Sequence, residues 1–180
     1  DKQYSILPTV INMIGDCKNK TVVDLGCGTG FFCIPFAGTA KEVLGIDNSR
    51  IQLDHAEQHK NIRYYLRDIF IDPLPVGDIF IASFVANYAR TTSILEYLFQ
   101  KIYDKTLPGG TLVLVVDLPN QKQLQRFGAV KKLLGPPRDE TKLNITLFNN
   151  NEKICDLNAT YFTTTTVEKL LVKAGFKEIT

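Results

Sequence analysis

A glycine-rich turn at the end of a β-forming run is the sequence feature that most restricts the fold. The stretch VVDLGCGTGFF, residues 22–32, places Gly26, Gly28 and Gly30 directly after the apolar run that ends at Leu25. Glycine lets backbone N–H groups approach a ligand where any Cβ would collide. Such a turn is typical of open α/β sheets that bind a ligand at the carboxyl ends of their strands. A tight connection that binds no ligand is the alternative.

Strand-like and helix-like segments alternate along the chain. Apolar runs rich in β-forming residues predict five strands, at Thr21–Leu25, Glu42–Ile46, Ile62–Leu66, Ile79–Phe84 and Thr111–Val116. Amphipathic segments predict helices at about Ile6–Ile14, Phe32–Ala37, Ser49–Gln58, Ser93–Tyr103 and Thr166–Ala174. This alternation predicts an α/β fold with a doubly wound, mostly parallel sheet and helices on both faces.

Two of the predicted helices carry end signals. Thr165 and Glu168 have capping-box spacing before the last helix, and Gly175 stands where a helix C-cap is expected. Pro35 requires the second helix to be short or to begin late, because an interior proline removes a backbone hydrogen bond.

Residues 118–164 interrupt the alternation. The stretch PNQKQLQRFGAVKKLLGPP is polar and is predicted to be partly helical. The stretch KLNITLFNNNEKICDLNATYF predicts two strands joined at Asn149–Asn151, a hairpin inserted after strand five, because asparagine tolerates the positive φ of a tight turn. No linker divides the chain, so we expect one domain over 1–180, with the insertion at 118–164 inside it.

Composition restricts the partners and the compartment. The 180 residues are 44% apolar with a net charge of +2, which predicts one core and supplies no electrostatic footprint for nucleic acid. The cysteines lack metal-site spacing, which favours a reducing, cytoplasmic location. Apolar runs are too short to span a membrane. Because the chain starts at Asp1 and ends on GFKEIT, as a strand begins, both ends are expected to be cut.

Three carboxylates are predicted to lie at the ends of three consecutive strands. Asp24 precedes the glycines, Asp47 ends the second strand and Asp68 follows the third. A carboxylate in the position of Asp47 can accept hydrogen bonds from both hydroxyls of a ribose. A helix N-cap is the alternative for Asp47. For Asp68 the alternatives are an adenine contact and a solvated loop residue.

These stretches resemble the class I S-adenosylmethionine-dependent methyltransferases. VVDLGCGTG matches the first motif of that family, VLGID the second and LRDIF the third, and LPGGTLVLVV is similar to its fifth strand. The resemblance covers essentially the whole chain and implies a Rossmann-like fold with S-adenosylmethionine as cofactor. Asp24 before the glycines is a methyltransferase feature rather than a dehydrogenase feature.

The resemblance also implies which residues bind the cofactor. The loop from Asp24 to Gly30, with Gly26, Cys27 and Gly28, is expected to hold the methionine part. Asp47 is expected to bind the ribose, and the adjacent Asn48 is also expected to contact the cofactor. Asp68 and Ile69 are expected to bind the adenine, and Phe84 to border the sulfonium.

A narrower resemblance indicates the methyl acceptor. SFVANYA after strand four, together with the late hairpin, is similar to the toxoflavin-synthase-like branch, which implies a small-molecule acceptor, often methylated at nitrogen. The stretch departs from the [DN]-P-P-[YFW] motif of nucleic-acid amino-methylating enzymes, so no nucleic-acid acceptor is expected. Because the insertion at 118–164 leaves the carboxyl end of strand five, the edge at which open α/β sheets bind ligands, it is predicted to lie on the acceptor side and to select the substrate.

Tyr88 is the predicted catalytic residue. It follows strand four with Asn87, where the methyl group would emerge, and its hydroxyl can orient an acceptor because it both donates and accepts. A packed aromatic is the alternative. Further candidate acceptor contacts are Asn120, Asn144 and Tyr161.

Other chemistries receive less support from the residues. His55 and His59 have i, i+4 spacing, but their surroundings are polar and no third ligand is evident, so a solvated helix face is favoured over a metal site. A nicotinamide oxidoreductase would carry GxGxxG, whereas position 31 is Phe. A non-catalytic cofactor-binding or partner-binding module is the other alternative. The oligomeric state is not predicted.

Overall fold

A computed structural model describes residues 2–117, 128–149 and 152–180. The chain forms two compact units. The parallel unit comprises Lys2–Val85 and Lys101–Val115, and the antiparallel unit comprises Ala86–Gln100 and Val116–Thr180. The assignment of 1–180 to one domain with an insertion stays a prediction.

The parallel unit is built on a five-stranded sheet. Its strands are β1 (Thr21–Leu25), β2 (Glu42–Asp47), β3 (Ile62–Leu66), β4 (Gly77–Ser83) and β5 (Thr106–Val115). They lie in the order β3-β2-β1-β4-β5, and every neighbouring pair is parallel. This order confirms the Rossmann-like fold. All five residues of β1 are buried, as expected for the centre of a sheet covered on both faces.

Five α-helices accompany the strands among the described residues. A π-helical turn (Lys2–Ile6) leads into α1 (Leu7–Ile14), followed by α2 (Ile34–Ala37), α3 (Arg50–Asp54), α4 (Thr92–Lys105) and α5 (Thr164–Ala174). Helix α2 has Pro35 in its first turn, which is the late start that the proline requires. Helix α3 ends at Asp54, several residues before the predicted end.

The start of α5 differs from the prediction. Thr163, not Thr165, is the N-cap, and its hydroxyl accepts from the Thr166 N–H at 3.3 Å. The predicted capping box is wrong because Asp139 fixes Thr163 by accepting from its N–H at 2.7 Å. The predicted C-cap is confirmed, since Gly175 has a φ of 115° and donates its N–H to the last turn.

The antiparallel unit contains a three-stranded sheet. Its strands β6 (Ala129–Leu133), β7 (Thr141–Asn149) and β8 (Glu152–Tyr161) pair in the order β6-β7-β8. The β7–β8 hairpin is confirmed, although Asn150 and Asn151 lie outside the described residues. The predicted partial helix is wrong for residues 129–133, which pair with β7 instead.

The two units have hydrophobic clusters of different size. In the parallel unit, a cluster of apolar side chains from β1, β2, β4, α1 and α2 includes Val22, Val43 and Ile81. In the antiparallel unit, a small cluster joins Leu143, Ile145, Ala159 and Tyr161. Among the described residues, the structure has no helix with both the length and the apolar character that a membrane span requires.

Candidate functional site

The predicted cofactor residues all belong to the parallel unit and lie at one edge of its sheet. The glycine loop follows β1, Asp47 is the last residue of β2, Asp68 comes shortly after β3, and Phe84 directly follows β4. Because all these strands are parallel, their carboxyl ends meet at the same edge, which is where open α/β sheets bind ligands.

Hydrogen bonds attach the glycine loop to the end of β2. The Ile46 carbonyl accepts from the N–H groups of Gly26 and Cys27, at 2.7 and 3.0 Å. Asp47 Oδ2 accepts from the Gly28 N–H at 2.9 Å, and the Gly30 N–H donates to the Cys27 carbonyl at 3.0 Å. These four N–H groups therefore hold the loop in place, whereas the glycine pattern had suggested that backbone N–H groups of this turn approach a ligand.

Each glycine of the loop has a positive φ, but the surroundings differ. A Cβ added at Gly26 would lie 2.1 Å from Val85 Cγ1, and one added at Gly30 would lie 2.1 Å from Tyr64 Oη. At Gly28 the nearest atom would be Gln52 Oε1, at 3.6 Å. Protein side chains behind the loop thus exclude a Cβ at two of the three positions, while the space at Gly28 is open.

Asp47 belongs to the loop rather than to a helix cap. Its Oδ1 accepts from the Ser49 N–H at 2.8 Å, in addition to the bond from Gly28. The N-cap of α3 is Ser49, whose hydroxyl accepts from the Gln52 N–H at 3.4 Å, so the capping alternative for Asp47 is wrong. An ionised carboxylate has about four acceptor sites, so Asp47 retains capacity for ligand hydroxyls. The neighbouring Asn48 is exposed.

Asp68 organises the loop after β3 and is not merely solvated. Its Oδ1 accepts from the Phe70 N–H at 2.9 Å, and its own N–H donates to Asp72 Oδ2 at 2.8 Å. Lys101 of α4 donates to the carbonyls of Ile69 and Asp72, at 2.8 and 2.7 Å. Burial lowers the pKa of Lys101, and the charges of Asp68 and Asp72 oppose that shift. Hydrogen bonds to both its backbone and its side chains therefore fix the conformation of this loop.

Asp24 lies beneath the loop. Its side chain is only 1% exposed, and Oδ2 accepts from the Cys33 thiol at 3.4 Å. A hydrogen bond with Cys27, burial and the Asp24 charge together raise the pKa of the Cys33 thiol far above its usual range. Cys33 therefore stays a neutral donor to the buried carboxylate.

Phe84 has an unusual backbone conformation. Its φ is 61°, in the left-handed region that bulky residues rarely adopt. Its N–H donates to the Val115 carbonyl at 2.8 Å, which ties the end of β4 to the end of β5. Such a residue stores about 1 to 3 kcal/mol of strain, and strain of this kind clusters at functional sites.

The predicted acceptor residues belong to the antiparallel unit. Asn87 is buried, and its Nδ2 donates to the Thr160 carbonyl at 3.0 Å. Tyr88, in the same 3₁₀ turn (Ala86–Tyr88), is 46% exposed, so it is not a core aromatic. Tyr161 is buried in the hairpin cluster, and Asn144 accepts from the Thr146 hydroxyl at 3.2 Å. Asn120 lies outside the described residues.

The two histidines do not share a helix face. His55 follows the last residue of α3, and its Nδ1 lies 2.8 Å from the Ile51 carbonyl. His59 lies in the loop beyond, where its Nδ1 accepts from the Asn61 N–H at 3.2 Å. In the part of the chain that the structure describes, no three His, Cys, Asp or Glu side chains are grouped so as to hold a metal ion.

Sequence reasoning missed two further residues, Tyr64 and Lys101, and could have found a third, Asp117. Tyr64 lies against Gly30 and Lys101 bonds the Ile69 carbonyl, both far away in sequence, and no local pattern shows such contacts. Asp117, 3% exposed, forms an ion pair with Lys131 in the antiparallel unit. It comes shortly after β5, so the rule that selected Asp47 and Asp68, a carboxylate after a strand, could have found it.

Comparison with known proteins agrees with this architecture. Residues 16–119 match the family model described as "Methyltransferase domain". A tRNA U34 carboxymethyltransferase from Shewanella frigidimarina is 36% identical over 113 residues, which cover 58% of this chain and 34% of that protein. The chain thus spans about a third of the length of this curated relative.

Solved structures show the same fold. A Listeria monocytogenes protein described as an S-adenosylmethionine-dependent methyltransferase is 25% identical, with a TM-score of 0.69 over 94% of this chain and 79% of its own. CalS10 from Micromonospora echinaspora, an amino pentose methyltransferase solved with S-adenosylmethionine bound, is 17% identical, with a TM-score of 0.67 over 94% of this chain and 80% of its own.

Proposed function

We infer, from the premise that this chain belongs to the methyltransferase-domain family whose cofactor is S-adenosylmethionine, that it transfers a methyl group to a small-molecule acceptor, at nitrogen. The observation that carries the cofactor side is the joining of Asp47 to the glycine loop through the Gly28 N–H. That bond places the carboxylate proposed to bind the ribose directly beside the open glycine turn. A nicotinamide cofactor is set aside, because the matched family is a methyltransferase family.

The residues at the sheet edge fit the proposed cofactor. Gly28, where a Cβ would have no atom nearer than 3.6 Å, leaves open space for the methionine part. Asp24 and Cys27 support this loop from within. Asp47 would accept from the ribose hydroxyls, with the exposed Asn48 beside it.

The adenine would lie against the loop after β3. Asp68 keeps a carboxylate there, and the bonds from Lys101 to the carbonyls of Ile69 and Asp72 fix the backbone around it. The Ile69 N–H donates to none of the described residues, so it is available to an acceptor nitrogen of the base. Phe84, strained at the end of β4, would border the reacting sulfur.

Methyl transfer mainly requires that the acceptor atom be aligned with the methyl group of the cofactor. When bound, the cofactor supplies a methyl group on a positively charged sulfur and leaves as a neutral thioether. The chain's own residues have to orient the acceptor and exclude water. Residues 84–91 read FVANYART and contain no His, Asp or Glu that could serve as a strong base. A neutral amine needs none, so this stretch suits a nitrogen acceptor better than an unactivated hydroxyl.

Tyr88 would orient the acceptor through its hydroxyl. Its 46% exposure distinguishes Tyr88 from a core aromatic. The proposed role predicts that Tyr88→Phe lowers the rate of transfer while cofactor affinity stays unchanged. A variant with wild-type transfer would remove Tyr88 from the mechanism.

A tRNA nucleoside is a second candidate acceptor. The 36% identity to a tRNA-modifying enzyme favours it, and the expectation that nucleic acid is excluded is therefore not supported. The near-neutral charge favours the small molecule, because nucleic-acid binding depends on a cationic surface.

An acceptor screen separates these proposals. The protein and radiolabelled S-adenosylmethionine are incubated together with three sets of acceptors in separate reactions. The first is a panel of small amines that includes amino sugars, the second is the corresponding alcohols, and the third is bulk tRNA. The proposal predicts label in one of the amines. Label only in tRNA would establish the second candidate, and label only in alcohols would refute the choice of nitrogen. Binding of S-adenosylmethionine without transfer to any substrate would favour the non-catalytic module.

A further inference from the structure

Tyr64, the third residue of β3, is one of the side chains against which the glycine loop is packed. A Cβ added at Gly45 of β2 would lie 2.6 Å from Tyr64 Cδ1, so the ring passes directly over that glycine. A Cβ added at Gly30 would lie 2.1 Å from the Tyr64 hydroxyl oxygen. The ring thus extends from β3 across β2, and its hydroxyl ends against the loop.

The Tyr64 hydroxyl also joins a hydrogen-bonded path to the loop. It donates to the Glu57 carbonyl at 2.8 Å. The Glu57 N–H in turn donates to the Thr29 carbonyl at 3.2 Å. Thr29 precedes Gly30, so the hydroxyl touches one loop residue and is linked through Glu57 to the residue before it.

The environment keeps this hydroxyl protonated. Burial raises the pKa of Tyr64, and the nearby Asp24 carboxylate raises it further. The hydroxyl is consequently a constant hydrogen-bond donor over the physiological pH range. Its bond to Glu57 does not switch with pH.

We propose that Tyr64 is a positioning residue that holds Thr29 and Gly30 in the loop geometry that binds the methionine part of the cofactor. The proposal rests on the placement of the cofactor at the glycine loop. It explains why Gly30 and Gly45 both lack a side chain, since Tyr64 occupies the space that each Cβ would need. A purely structural role would stabilise the fold without influencing affinity.

The substitution Tyr64→Phe isolates the hydroxyl. It keeps the ring over Gly45 and removes only the donor to Glu57. We expect it to weaken binding of S-adenosylmethionine and S-adenosylhomocysteine by about three- to tenfold, the range that one neutral hydrogen bond is worth. The matched control is Tyr65→Phe, the same change on the next residue, whose ring stacks on Arg67 at 5.1 Å, and affinity should not change.

A double variant tests the contact with Gly30. Gly30→Ala alone should weaken binding by more than Tyr64→Phe does, because the new Cβ meets the hydroxyl oxygen. Without that oxygen the nearest remaining ring atom is Cζ, at 3.1 Å, so Tyr64→Phe should restore part of the affinity that Gly30→Ala loses. Two residues that did not interact would give additive losses.

Calorimetric titration of the full chain with S-adenosylmethionine tests the proposal, with Asp47→Asn as a reference and hydrogen exchange of the Glu57 amide as a second readout. We expect weaker binding by Tyr64→Phe, partial rescue in the double variant and faster exchange at Glu57. Wild-type affinity in Tyr64→Phe, or additive losses, would overturn the role of Tyr64 if Asp47→Asn still weakens binding. If Asp47→Asn also binds normally, the placement of the cofactor is wrong and the inference fails with it.

Discussion

The parallel unit and the antiparallel unit use their polar side chains differently. In the parallel unit, Asp47 and Asp68 bind backbone N–H groups of turns that follow strands, so carboxylates and loops form one sheet edge. In the antiparallel unit, Asn87 and Asp139 connect different structural elements. Asn87 donates to the Thr160 carbonyl of β8, and Asp139 accepts from Thr163, the N-cap of α5. The proposed cofactor site therefore depends on local motifs, whereas the proposed acceptor site would depend on side chains brought together by the fold.

This difference leads to a large expected effect when the insertion is removed. Replacing residues 120–162 by a short Gly/Ser linker should abolish transfer to the native acceptor, because the segment is proposed to select it. Cofactor affinity should stay within a few-fold, since the predicted cofactor residues belong to the parallel unit. Transfer assays and titration of the same protein measure both quantities. A shortened protein that folds, binds the cofactor and methylates at the original rate would show that the segment is not on the acceptor side.

A milder variant covers the case in which that protein does not fold. Leu143→Ala empties part of the hairpin cluster and should lower the free energy of unfolding by about 2 to 5 kcal/mol. Leu134→Ala, at a site that is 56% exposed, is the matched control and should have little effect. Urea unfolding gives the stabilities. Cofactor affinity below the melting temperature should be unchanged in both variants. A loss of affinity in Leu143→Ala alone would show that the antiparallel unit contributes to cofactor binding.

The next largest effect is expected at Asp47. Asp47→Asn should weaken cofactor binding by at least about tenfold, because hydrogen bonds to a charged acceptor contribute about 1.5 to 3 kcal/mol each. Asparagine is preferable to alanine, since its amide oxygen can still accept from Gly28 or Ser49. Asp54→Asn makes the same charge change at an exposed site of α3 and should bind normally. Equal affinities in the two variants would contradict the ribose assignment.

The smallest effect concerns Asp139. Burial alone would raise its pKa, but hydrogen bonds from Thr166 and Thr163 outweigh that and lower it. Because the pKa is lower in the folded state, the charged carboxylate stabilises the fold at pH values above its unfolded pKa of about 3.9. That stabilisation is lost as the pH falls through the folded-state pKa.

Asp139→Asn should therefore cost about 1 kcal/mol near neutral pH, the net value of a typical hydrogen bond, and less below about pH 4. Urea unfolding at several pH values measures this, with Asp54→Asn as the control. Cofactor affinity should not change. A cost that stayed constant down to pH 2 would show that the charge of Asp139 is not what stabilises α5.

The five parallel strands were predictable because their chemistry is local. Strands buried on both faces, such as β1 and β4, read as continuous apolar runs. The positions of Asp47 and Asp68 follow from where those runs end. The hairpin was predictable for a similar reason, since its asparagine-rich turn separates two β-forming segments.

The remaining features depend on contacts between distant residues. Thr163 rather than Thr165 caps α5 because Asp139 binds it. Gly30 is required by Tyr64, and the loop at Ile69 is held by Lys101. No periodicity or spacing in the sequence indicates such contacts, which also explains why the acceptor was harder to predict than the cofactor.

The central claim is that the glycine loop and the carboxylates of the parallel unit bind S-adenosylmethionine. Calorimetric titration of the wild-type chain with S-adenosylmethionine, S-adenosylhomocysteine and NAD tests it most directly. We expect saturable binding of the first two and no measurable binding of NAD. Binding of NAD at least as tight as that of S-adenosylmethionine would contradict it.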